Sequence, residues 1–115
     1  MNAVARDIED AAEDVRRANH STMRGVLDGP ECCVVVGNLV ELLQRLPQVV
    51  GFLSRSLRRA DPDEHRDDRG LAPDHALSGA HTALDGAREG IGGVVQHLNA
   101  AHIHLGHIGR QITED

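Results

Sequence analysis

The stretch CCVVVGNLVELLQRLPQVVGFLSRSL, residues 32–57, decides the fold. Within it Cys32, Val36, Leu39, Leu43, Leu46, Val50, Leu53 and Leu57 recur at alternating steps of four and three without a miss. That spacing keeps all eight on one stripe of an α-helix, the seam of a helix lying lengthwise against others as in a coiled coil. Val35, Leu42 and Val49 form a second stripe beside it, and Cys33 and Val40 widen its other edge. An apolar arc this broad predicts a helix flanked by two neighbours. The run Val34 to Val36 favours strand locally, but a helical period sustained through Leu57 outweighs it. Pro47 carries no N–H, which predicts a kink between Leu43 and Pro47. Arg55, Arg58 and Arg59 suit the negative end of the helix, placed over about 31–59.

The flanking segments read as two more helices. Toward the N-terminus, Val4, Ile8, Ala11, Val15, Ala18 and Thr22 share one face. Asp7, Glu9, Asp10, Glu13 and Asp14 come early and Arg16, Arg17 and Arg24 late, an order that complements the helix dipole. Gly25 and Asp28-Gly29-Pro30 end that helix, over about 3–27. On the other side, residues 61–70 hold no aliphatic side chain and read as a solvated, partly mobile linker within 60–73. Pro73 then opens a third helix, about 74–113, whose Leu77, Ala80, Leu84, Ala87, Ile91, Val94, Val95, Leu98, Ala101, Leu105 and Ile112 share one side. Unbroken, it would span about 60 Å against about 39 and 44 Å for its neighbours. Its last turns would then project, bend at Gly90 to Gly93, or lie under another subunit.

The expected fold is all-α: a single domain over 1–115, an antiparallel three-helix up-down-up bundle with a long C-terminal helix. A variant pairs helices two and three alone, with helix one completing a partner's bundle. The expected core comprises Val36, Leu39, Leu43, Leu46, Val50, Leu53, Leu84, Ile91, Val95 and Leu98.

Composition then removes whole classes of function. The 115 residues carry a formal charge of −6, which argues against a general nucleic-acid binder. One Phe and no Trp or Tyr cannot build a stacking platform for bases, sugars or flat cofactors. All twelve basic residues are Arg, so Schiff-base chemistry and a Lys-dependent phosphate loop are absent. Arg without Lys, with abundant Ala and Gly, points to a GC-rich bacterial genome. The acidic start Asn2 to Asp7 lacks the basic and apolar blocks of a secretory signal, and the longest uninterrupted apolar run is Cys32 to Val36. A cytoplasmic protein with no membrane partner is expected. Cys32 and Cys33 are adjacent, so a disulfide between them would close no useful loop; they read as reduced thiols packed as small hydrophobes.

Catalytic signatures are missing. Ser21, Ser54, Ser56 and Ser78 have no nucleophile-elbow context, the glycines of residues 86–93 do not follow a strand, and Asp67-Asp68 lies in the linker. No catalytic residue and no cofactor are expected. Four of eight histidines crowd into His97, His102, His104 and His107. His104 and His107 share a helical face and are weak metal candidates, with no third ligand beside them. His102 lies within the apolar arc, as a core-edge side chain or at an oligomer seam where acidification would weaken association. Opposite the core, Gly79, Gly86, Gly93 and Ala100 stand seven apart, and each helical glycine costs about 1 kcal/mol relative to alanine. Such a stripe fits close approach by a second helix. The expected function is therefore a non-enzymatic protein–protein interaction module, an adaptor or regulator that self-associates through helix three. Its surface would comprise Gly79, Gly86, Gly93, Ala100, His97, Ile103, His104 and His107. Leucine at Gly86 and Gly93 would then block assembly. The alternative is a metal- or pH-responsive regulator using the C-terminal histidines.

Overall fold

A computed structural model describes residues 2–109 and 111. The chain is all-helical, with no strand among the described residues. Helix α1 covers Ala3–Ser21 and is followed by a 3₁₀ turn, Thr22–Arg24. Helix α2 covers Gly29–Arg59, a second 3₁₀ turn covers Pro62–Glu64, and α3 covers Pro73–Leu105. Local chemistry sets these limits. The Asn2 side chain accepts from the Ala5 N–H at 2.8 Å and caps α1. Asp28 and Glu31 form a capping box at the start of α2: Asp28 accepts from the Glu31 N–H at 2.8 Å, and Glu31 accepts from the Asp28 N–H at 3.2 Å. Pro30 falls in the first turn, where a missing donor costs nothing. Pro47 lies inside α2 without ending it.

Helices α2 and α3 form a close antiparallel hairpin. Ser54 reaches His81 and Asp85, Arg88 lies over Gly51, His102 over Gly37 and Ile108 over Gly29. Numbers that rise along one helix fall along the other. At 31 and 33 residues the two are about 46 and 50 Å long, so they match and no long overhang remains. This corrects the expected end of helix three near Thr113. The helix stops at Leu105, where α2 no longer offers a surface, and Gly106 to Ile108 fold back in tight turns. Ile108 thereby comes to rest on the first residue of α2: a Cβ on Gly29 would sit 2.7 Å from its Cγ2. Ile112 and Thr113 lie outside the described residues. The first helix is likewise shorter than expected, because Thr22–Arg24 tightens into a 3₁₀ turn before Gly25, whose φ of 155° is a conformation few side chains tolerate.

The line of closest packing on α2 differs from the expected one. Val36, Leu43, Val50 and Leu57 are on it and half-buried, but between them stand Cys33, Val40, Pro47 and Ser54 rather than Cys32, Leu39, Leu46 and Leu53. Val40, 8% exposed, is the one fully buried apolar side chain among the described residues. Leu39 and Leu53, expected in the core, are 41% and 40% exposed. Leu46, Leu84, Ile91, Val95 and Leu98 are half-buried. On α3 the partners are Leu77, His81, Leu84, Ile91, Val95, Leu98 and His102, while Ala80, Ala87, Val94 and Ala101 face out. Size explains the shift. Gly37, Gly51 and Ser54 present little bulk, so long α3 side chains lie directly on the α2 backbone.

The three helices contribute unequally to the packing. No Cα of α1 comes within 8 Å of one in α2 or α3. Val4 shares an open groove with Val49 and Phe52 of α2, and every described residue of α1 is exposed. The chain is accordingly drawn out, 75 × 26 × 24 Å, with a radius of gyration of 20.0 Å where a compact chain of this length would have about 13 Å.

The 60–72 connection is exposed apart from Ala60 and Asp67, and it carries its own local hydrogen bonds. Asp61 caps the 3₁₀ turn through the Asp63 N–H at 2.9 Å, and its carbonyl oxygen meets His65 Nδ1 at 2.6 Å. Asp67 accepts from the Arg69 backbone N–H at 2.8 Å and from its guanidinium at 2.8 and 3.1 Å. Gly70, at φ 79°, makes the turn that follows.

Candidate interaction surface

The one polar cluster inside the hairpin joins Ser54, His81 and Asp85. Ser54 is 1% exposed. Its hydroxyl donates to Asp85 Oδ1 at 2.7 Å and lies 3.4 Å from the His81 carbonyl. His81 Nδ1 stands 3.7 Å from Asp85 Oδ2, an ion-pair distance too long for a hydrogen bond. The Ser54 hydrogen bond, with help from His81 and Arg58, holds the Asp85 carboxyl below its ordinary value. These are the residue types of a hydrolytic triad in a different order. The hydroxyl is bonded to the carboxylate and not to the imidazole, and it is sealed between two helices. The arrangement satisfies a buried serine; it does not activate one. Sequence reading passed over Ser54 because no motif surrounds it. The available signal was a lone polar residue in the seam, opposite a His and an Asp four apart.

A Cβ added to Gly51 would meet the Arg88 guanidinium at 3.3 Å, so that cation lies across the α2 backbone. Beyond it, Pro47, Arg58, Asp85, Arg88 and Glu89 line an open, mixed-charge groove. Asp67, held by the Arg69 side chain above all, has its carboxyl lowered to about 2.

The eight residues expected to form the α3 surface are all exposed. Cβ atoms added to Gly79, Gly86, Gly90 or Gly93 would meet nothing within 4 Å, so this stripe is open along the whole hairpin. It is poor in apolar area: Ile103, 64% exposed, is its single large hydrophobe. His97, His104 and His107 are exposed, but His107 lies in the turn after Leu105 and so does not share a helical face with His104 as expected; no group of three or more His, Cys, Asp or Glu able to hold a metal occurs among the described residues. His102 differs, half-buried against Gly37. Cys32 and Cys33 are half-buried free thiols.

Apolar area is concentrated instead on α2 and its surroundings. Val35, Leu39, Leu42, Phe52 and Leu53 are exposed together, with Val4, Ile8 and Val15 of α1 nearby in sequence order along an equally uncovered stripe. By length and composition α2 would also pass as a membrane-crossing helix, with a mean hydropathy of 1.2 over its best window. The reading from uninterrupted runs missed this because Glu41 and Arg45 break the run; they pair with each other at 2.6 Å. Comparison with models of protein families, with curated proteins and with solved structures found no match to this chain.

Proposed function

We propose that the chain is a non-enzymatic protein–protein interaction module that completes its fold by associating with further copies of itself. One observation carries this reading. A compact chain of 12.4 kDa exposes about 6,100 Å² of surface, whereas this one exposes 9295 Å², an excess of about 3,000 Å². Much of that excess is aliphatic, and a single buried apolar side chain among the described residues makes a thin core for an independent domain. In the assembled form α1 lies antiparallel along α2, giving the up-down-up order, from a start at Val4 beside Val49 and Phe52. Both α2 and the small-residue face of α3 are open to partners. Adaptor or regulatory work in the cytoplasm is part of this reading, and the formal charge of −6 argues against nucleic acid as the partner. Size-exclusion chromatography with light scattering tests the reading: it requires a mass that is a multiple of 12.4 kDa. A single-chain mass at micromolar concentration overturns it.

A metal- or pH-responsive regulator is the second reading, favoured by the exposure of His97 and His104 near the end of α3 and of His107 in the turn after it. Calorimetric titration with zinc, after chelator treatment, tests it. Stoichiometric micromolar binding that changes the mass supports it; no heat above dilution rejects it.

A further inference from the structure

We propose that a second copy docks on the half-open stripe of α2 formed by Val35, Leu39, Leu42, Leu46, Val49 and Leu53, with the two α2 helices antiparallel. The proposal rests on the self-association reading above and adds the face and the direction. Helix α2 carries two heptad seams. Val36, Val40, Leu43, Pro47, Val50, Ser54 and Leu57 meet α3. The stripe repeats the same three–four spacing about a third of a turn away, the pattern of a helix that pairs with another helix. Its own chain covers it only in part, with Leu46 and Val49 half-buried. Leu39, Leu42 and Leu53 are each exposed by about two-fifths, and α1 stands off beside Val49 and Phe52.

Area leaves room for a second copy: stable homodimers bury about 1,000–2,500 Å² from each chain, and the excess of about 3,000 Å² is shared between the α2 stripe, α1 and the α3 face. A two-fold pair covers the stripe of both chains at once, joining two hairpins around a four-helix core. Charge sets the direction. Arg55, Arg58 and Arg59 crowd the C-terminal end of α2, and Glu31 stands in its first turn. Parallel helices would bring six guanidinium groups together at two negative helix ends. Antiparallel helices bring each Arg cluster to the partner's acidic first turn and positive helix end.

The test is the mass in solution of the wild type, of Leu39→Arg/Leu46→Arg, and of Gly86→Leu/Gly93→Leu. The expected result is two chains for the wild type and the glycine variant, and one chain for the leucine variant. A one-chain glycine variant beside a two-chain leucine variant overturns the α2 face yet keeps self-association, on α3. A one-chain wild type overturns both. Because two arginines in an apolar stripe can unfold the chain, a second arm mixes Val35→Cys chains with Leu53→Cys chains under mild oxidation. The midpoint of the stripe is residue 44, so an antiparallel two-fold pair sets residue 53 opposite residue 35 of the second copy, and the mixture gives a disulfide-linked dimer that reduction reverses. The wild type, with its Cys32 thiols about 36 Å apart at opposite ends, stays unlinked. Wild-type dimers linked through Cys32 and lost in Cys32→Ser refute the antiparallel direction, and an unlinked mixture refutes the face.

Discussion

Replacing Gly79, Gly86 and Gly93 with alanine should stabilise the protein without changing its mass. All three lie in the interior of α3, where glycine loses more backbone freedom on folding than alanine. A Cβ at each would meet nothing within 4 Å, so no clash opposes the gain. At about 0.8–1 kcal/mol per site, the triple variant gains about 2.5–3 kcal/mol. For a domain of this size that raises the melting temperature by about 10 °C. With a urea m-value of about 1–1.5 kcal/mol/M, the midpoint should rise by about 2 M. Circular dichroism at 222 nm is the assay, since no Trp or Tyr is present to report by fluorescence. Chain concentration must be matched, because assembly contributes to apparent stability. A destabilised triple variant, or one of altered mass, would show that the stripe is packed against another backbone.

Gly37 should behave in the opposite way. A Cβ there stands 3.0 Å from His102 Nε2, so Gly37→Ala gains nothing until His102→Ala makes room, after which about 1 kcal/mol returns; the double-mutant cycle in urea measures this, and equal gains with and without His102 would show the imidazole is not seated there. Stability should fall on acidification below about pH 4 as Asp67 protonates. Its folded value of about 2 lies under the ordinary 3.8, so the Arg69 hydrogen bonds favour the fold above the unfolded value and lose their effect as pH drops toward 2. Urea midpoints across that range should slope less in Asp67→Asn, and an unchanged slope would remove this carboxyl from the account. Ser54→Ala should raise the Asp85 carboxyl toward its ordinary value by deleting the donor that lowers it most, followed by carbon-detected NMR titration; an unmoved Asp85 would assign the lowering to His81 and Arg58.

The helical period made the elements legible: α2 and α3 begin within a residue or two of where caps, prolines and apolar spacing placed them. What the pattern did not fix was which slice of a broad apolar arc meets which neighbour. Counting leucines centred the seam on Leu39, Leu46 and Leu53, whereas the hairpin closes on Gly37, Gly51 and Ser54, because backbone approach depends on small residues as much as on apolar ones. The end of α3 was misplaced for a related reason. Helical spacing runs on through Ile112, but nothing in the spacing records where the partner helix stops, and Gly29 sets that limit. At the candidate surface, Gly79, Gly86 and Gly93 were recognised as an open stripe. Leu39 and Leu53 were read as core and are about two-fifths exposed, since a stripe left open and one facing a neighbouring helix have the same spacing.

Melting the wild type across a hundredfold range of concentration asks whether one chain buries enough of itself to stand alone. Association coupled to folding requires the midpoint to climb with concentration while light scattering reports more than one chain. A midpoint independent of concentration, at the mass of one chain, would show that the single chain folds unaided.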